Sequence, residues 1–263
     1  MAFAQSAARR PIEGAVATLG VSDRVAFLRR TYGLLGISLI AFAAFTAGMM
    51  RYMTETSLRF SGWALHGQLN WFIVIALFMA VGYVAQRLAQ SESSRGLQLV
   101  GLGIFVVMES FLLQPILWGL IVRFGHPERL LRTSGDGLGL ALSGQAASIL
   151  GQAIVITLAI FIGLTLTVFL TKKDFSFMRG ALSIGSFAVL GVILASMLFG
   201  FSLGALFCGA VILLMAGYIL YQTSLVMSYF PPTGHVAAAL MLFSTVATLF
   251  WYVLQLLMSL NRR

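Results

Sequence analysis

Seven apolar runs, each of roughly the 20 residues that a membrane-crossing helix needs, follow one another along this chain of 263 residues. Nothing else in the sequence restricts its folding so tightly. Inside a bilayer every backbone N–H and C=O must find a partner within the protein, so a run of this length crosses as a helix. The runs are Tyr32 to Met50, Leu69 to Ala85, Leu97 to Val122, Ala146 to Leu170, Ala181 to Phe199, Leu203 to Tyr221 and Val236 to Leu260. Hydrophobic residues make up 59% of the chain and charged residues 10%, well below the roughly 25% charged of soluble domains. The expected fold is all-α, a polytopic seven-transmembrane-helix bundle over residues 31–263, preceded by a basic N-terminal tail of residues 1–30. Seven spans with short joints leave no room for a soluble catalytic domain.

The joints carry the charge. Glu55, Arg59 and His66 follow the first run, and QRLAQSESSR (Gln86 to Arg95) follows the second. The longest loop, Arg123 to Gly144, holds three arginines, and TKKDFSFMRG (Thr171 to Gly180) ends the fourth run. Gly200 to Ser202 form a tight uncharged joint, and SYFPPTGH (Ser228 to His235) breaks the chain with two prolines. The net charge of +9 is spread over these short segments, which is where Lys and Arg meet anionic headgroups, and this argues against nucleic acid as a partner. With the N-terminus in the cytoplasm, the cytoplasmic segments hold ten Lys and Arg against seven opposite, so the expected topology is N-in and C-out. Arg9, Arg10, Pro11, Glu13, Asp23 and Arg24 interrupt the start of the chain, so no cleavable signal peptide is read there. The single cysteine, Cys208, forms no internal disulfide.

Small residues recur in pairs: Gly33 and Gly36, Gly96 and Gly101, Gly180 and Gly185, Gly200 and Gly204, Ala205 and Gly209. They let helix backbones approach closely, within the bundle or across a dimer face. The twelve methionines read as adaptable packing. His66, His126 and His235 lie in separate loops, so no metal site and no cofactor is expected. Gly135, Gly137 and Gly139 do not join a strand to a helix, which removes a nucleotide reading. The hydroxyls lack a His or an acid to complete a triad, so no enzyme is expected.

Glu109, in VVMESFLLQPIL, lies well inside the third run. An acidic group there costs about 2.5–3.5 kcal/mol on insertion scales, judged by aspartate, and must face the bundle or stay protonated. Pro115 lies six residues on and frees a backbone carbonyl. Together they point to a locally irregular polar spot. It is either a proton- or cation-responsive site or a neutral carboxyl tied to a neighbouring helix. Gln222 closes the sixth run, with Thr223 and Ser224 after it, and reads as a polar cap that cannot sense protons. Ser244, Thr245 and Thr248 in the last run can bond back to their own helix. Lys172, Lys173, Asp174 and Arg179 read as an interfacial anchor for the end of the fourth span.

Five segments resemble one family: FLRRTYGLLGISL (Phe27 to Leu39), MESFLLQPIL (Met108 to Leu117), LTKKDFSFMRGAL (Leu170 to Leu182), YILYQTSLV (Tyr218 to Val226) and LFSTVATLFWYVLQLL (Leu242 to Leu257). Their order and spacing resemble the transmembrane Bax inhibitor motif family, and within it the bacterial YccA-like branch. The resemblance implies a seven-helix fold with the last helix near the bundle centre, in a bacterial inner (plasma) membrane. It implies two activities. One is a pH-sensitive calcium leak gated by a carboxylate pair on the sixth and seventh helices. The other is modulation of the membrane-anchored AAA protease FtsH. The two acid positions of the family fall here on Gln222 and Thr245, which cannot titrate as a coupled pair. The expected function is therefore a non-enzymatic membrane partner, of an AAA protease or a larger complex, with the lipid bilayer as its solvent. The alternative is a calcium or proton conduit that uses Glu109 and Pro115.

Overall fold

The computed structural model describes residues 20–91, 94–126, 142 and 144–261. Among these the chain is mostly helical, with no strand. In chain order the helices are α1 (Val21–Tyr52), α2 (Thr54–Leu65), α3 (Gln68–Ala89), α4 (Arg95–Phe124), α5 (Gln145–Thr171), α6 (Arg179–Phe199), α7 (Ala205–Ser228) and α8 (His235–Leu260). A short 3₁₀ turn, Ser176–Met178, precedes α6. Seven of these helices are long and apolar enough to cross a membrane, and α2 is the short one. The expected all-α seven-span bundle is therefore present. The tail up to residue 19 and the glycines Gly135, Gly137 and Gly139 lie outside the described residues.

Three boundaries differ from the reading of the sequence. The helix of the first span begins at Val21 rather than near Tyr32. Phe27, Thr31 and Leu35 are all buried, so the core-facing stripe of α1 runs into the region read as tail and carries Arg24, Arg29 and Arg30 on its first turns. The segment after α1, read as a loop, is helix α2. Its buried residues, Ser57, Ser61 and Ala64, are small and spaced as one helical face, a stripe too polar to register as an apolar run. The sixth span continues to Ser228 before Pro231 and Pro232, so Gln222 lies within α7 and is not its cap.

Local chemistry sets the ends. The Ser94 hydroxyl accepts the Leu97 amide at 3.2 Å and caps α4. α5 closes on Lys172 in the left-handed region (φ 51°), and α6 closes on Gly200 (φ 74°). Pro115 is accommodated without breaking α4, which runs on to Phe124.

α8 is the central helix. It is the most buried span, 61% against 6% for α6, and it packs against α7, α1, α5, α4 and α3. Phe243 of α8 meets Phe42 of α1 and Phe105 of α4 edge-on, with ring centroids 5.7 and 6.1 Å apart. α3 and α4 cross at Gly101, where a Cβ would stand 2.6 Å from the Ala85 carbonyl oxygen and 2.8 Å from the Ala89 nitrogen. Only glycine permits that approach. The partner glycine of the sequence pair, Gly96, faces open space.

Candidate functional site

Seven crossings put α1, α4, α6 and α8 starting at one face and α3, α5 and α7 ending there. On this N-terminal face a cavity of about 440 Å³ opens between the end of α3, the start of α4, the end of α7 and the start of α8. Gln86, Gln90, Gln98, Thr233, Ser244 and Gln222 are the polar groups of its wall. At a rise of 1.5 Å per residue, Gln222 stands about 9 Å in from the end of α7, so the cavity penetrates the bundle.

Gln222 meets Thr245 at this level. The Thr245 hydroxyl donates to Gln222 Oε1 at 2.8 Å and to its own helix, at the Met241 carbonyl, at 3.3 Å. Both residues are buried. The helices that pack most extensively in the bundle, α7 and α8, are thus joined by a neutral hydrogen bond at the positions where the family resemblance implies two acids. Such a bond holds its geometry at every pH at which the helices stand.

Glu109 is on α4 one turn beyond Phe105, 6% exposed, and about 21 Å in from the start of its helix. It does not line this cavity, and among the described residues its carboxylate takes no hydrogen bond. Glu109 thus shares neither the wall of this cavity nor a hydrogen bond with Gln222 and Thr245. The polar contacts of this part of α4 belong instead to Ser110, Gln114 and Trp118, on the next face of the helix. The Ser57 hydroxyl donates to Gln114 Oε1 at 2.6 Å, and the Trp118 indole donates to Ser57 Oγ at 2.7 Å. Gln114 Nε2 donates to the Ser110 carbonyl at 3.0 Å, and the Ser110 hydroxyl donates to the Val106 carbonyl at 2.9 Å. This network ties α2 to α4 in the core. Sequence reasoning passed over it; the available signal was three polar groups four residues apart, Ser110, Gln114 and Trp118, inside an apolar run.

The charged end of the fourth span divides in two. Lys172, Lys173 and Arg179 are exposed at the N-terminal face. Asp174 instead clamps the joint onto α7. Its Oδ1 accepts the Ser176 amide at 2.8 Å and the Ser224 hydroxyl at 3.0 Å, and its Oδ2 accepts the Ser176 and Tyr229 hydroxyls at 3.0 Å each. The Phe175 amide donates to Ser224 Oγ at 3.1 Å. Partial burial alone would raise the carboxyl, but these four hydrogen bonds outweigh it and hold Asp174 below the usual aspartate range. Among the described residues no group of three His, Cys, Asp or Glu side chains converges as a metal site.

A membrane bundle of seven spans, with its last helix at the centre and bonded to the sixth beneath a polar vestibule, defines the class of the protein. The family model described as Inhibitor of apoptosis-promoting Bax1 matches residues 130–262, and the chain belongs to the Bax inhibitor family. It is 27% identical to Bax inhibitor 1 of Schizosaccharomyces pombe over 255 residues, 92% of this chain and 79% of that protein. It is 29% identical over 194 residues to an uncharacterized protein of Pseudomonas aeruginosa, covering 71% of this chain and 86% of the relative. Protein lifeguard 4 of Mus musculus is 28% identical over 113 residues, 43% of this chain and 48% of that protein.

Proposed function

We propose that this chain is a non-enzymatic partner protein of a bacterial inner membrane, one that modulates a membrane-anchored AAA protease of the FtsH type or serves as accessory subunit of a larger membrane complex. The observation that carries the reading is the 2.8 Å bond from Thr245 to Gln222. A titratable gate at this place needs two carboxylates close enough to share a proton. An amide and a hydroxyl cannot take that role, and what the chain keeps of its family is the bundle and its surfaces. α6 fits a partner role, since it is the least covered span and presents Ile184, Phe187, Leu198 and Phe199 outward in the membrane. The exposed Lys172, Lys173 and Arg179 lie at the start of the same helix.

Extraction in mild detergent with prior crosslinking tests the reading. A protease subunit or another membrane protein should co-elute in fixed ratio, and a chain that elutes alone even after crosslinking overturns it. The second reading, a calcium or proton leak, is favoured by one observation, the buried Glu109 with no donor on its carboxylate among the described residues. Liposomes loaded with a calcium dye separate the two. Flux that rises with pH and is lost in Glu109→Gln establishes the leak, and flux no greater than that of empty liposomes removes it.

A further inference from the structure

The vestibule has the wrong chemistry for a calcium site and the right chemistry for an oxyanion. Calcium takes six to eight oxygen ligands, carboxylates prominent among them. Among the residues that line this cavity none is Asp or Glu. The least exposed of its polar groups is Gln222, at 8%. The carbonyl oxygen of that amide is taken by Thr245. That fixes the side chain so that its two N–H donors are left for the cavity, with no protein partner among the described residues. Those donors are open to whatever enters the cavity, and an acceptor-only group can meet both of them.

The other polar groups of the wall are uncharged, and of its amides Gln98 already donates to the Ser91 carbonyl at 2.7 Å. Ser244 adds a hydroxyl on the α8 wall, and Gln86, Gln90 and Thr233 add amides and a hydroxyl toward the mouth. The mouth is basic: the exposed Arg95 opens α4, whose Gln98 is in the wall, and the exposed Arg30 lies on the first turns of α1 at the same face. About 440 Å³ is far more than one water, at about 30 Å³ each, would fill, and it accommodates a multi-atom anion. Low-dielectric walls around a positive mouth concentrate anions at the floor.

We propose that the vestibule binds a phosphate-type oxyanion, with the Gln222 amide donating to it at the floor and Arg30 and Arg95 drawing it in. The anion is either free in solution or the phosphate of a lipid headgroup.

The test uses the full chain in nanodiscs of phosphatidylcholine, titrated with inorganic phosphate and followed by thermal unfolding and by calorimetry. Phosphate should raise the melting temperature in proportion to occupancy, whereas chloride at equal ionic strength should not. Gln222→Glu replaces the donors with a carboxylate and should abolish the response. Arg95→Gln, at an exposed position that leaves the packing intact, should weaken it at least tenfold. Native mass spectrometry of protein from mixed phosphatidylcholine and phosphatidylglycerol tells the sources apart. Retention of phosphatidylglycerol that is lost in both variants, with no response to inorganic phosphate, assigns the site to the headgroup. The proposal is overturned if neither probe binds, or if both bind Gln222→Glu and Arg95→Gln as tightly as the parent chain.

Discussion

Two polar clusters at the residue scale hold this bundle in ways that its apolar content does not. Asp174 accepts four hydrogen bonds and links the α5–α6 joint to the end of α7. Because those bonds hold its folded-state pKa below the unfolded value, near 3.9, Asp174 stabilises the fold above that value. The contribution is lost as pH falls through the depressed folded value. Asp174→Asn should therefore melt lower than the parent chain in detergent at pH 7, by about 1 kcal/mol after solvent screening, and the two should converge in acid once Asp174 is protonated in the folded state. A gap that stays constant with pH would mean that the charge on Asp174 has no part in the clamp. In the core, Ser57 bridges Gln114 and Trp118. Ser57→Ala and Gln114→Leu should each lower stability by about 1 kcal/mol, and the double variant should fall short of the sum, because each change already breaks the same bond. Full additivity in a double-mutant cycle of thermal melts would show that the bond contributes nothing.

Contacts between elements turn on a few positions where backbones meet. A side chain at Gly101 would collide with the backbone of α3 at Ala85 and Ala89, whereas one at Gly96 meets nothing. Gly101→Val should cost about 1–3 kcal/mol or more by forcing α3 and α4 apart, while Gly96→Ala should be neutral or stabilise by about 1 kcal/mol through helix propensity. Equal effects of the two in thermal melts would contradict the crossing. The same contrast explains what could be read from the chain beforehand. Runs such as Ala146 to Leu170 announce a span by length alone, so the seven crossings were legible. The pairing of small residues was legible too, but not which member of a pair is a contact, because that depends on where the other helix lies. α2 escaped notice because its buried stripe is Ser57, Ser61 and Ala64. α7 was cut short because Gln222, Thr223 and Ser224 look like a polar end, although all three are buried. The partner that makes Gln222 at home in the bundle is 23 residues away, and those of Gln114 and Trp118 are 57 and 61 away. Local pattern carries no record of such separations. The likeness of YILYQTSLV and of the last helix to the family pointed to the first pair; nothing comparable pointed to the second.

For the whole molecule, seven crossings place the two ends of the chain on opposite faces of the membrane, and charge decides which face is which. Of the described residues, Arg24, Arg29, Arg30, Arg87, Arg95, Lys172, Lys173 and Arg179 lie at the N-terminal face, against Arg51, Arg59 and Arg123 at the other. Arg59 is moreover paired with Glu55 at 2.6 Å. Over the full chain the same division of Lys and Arg is ten to seven, and that is the bias on which the orientation rests. Lys and Arg close to span ends are retained on the cytoplasmic side. The N-terminal face, with its vestibule and the Asp174 clamp, should accordingly be cytoplasmic. Alkaline phosphatase joined to the C-terminus should be active in intact bacteria, and a fluorescent protein that matures only in the cytoplasm should be dark at that end and bright at the N-terminus. The reverse pattern would turn the vestibule outward. It would remove the N-terminal tail from the reach of a cytoplasmic protease motor and leave Gln222 open to anions from outside the cell. One pair of fusions thus constrains both the partner that this bundle can meet and the solution from which its vestibule fills.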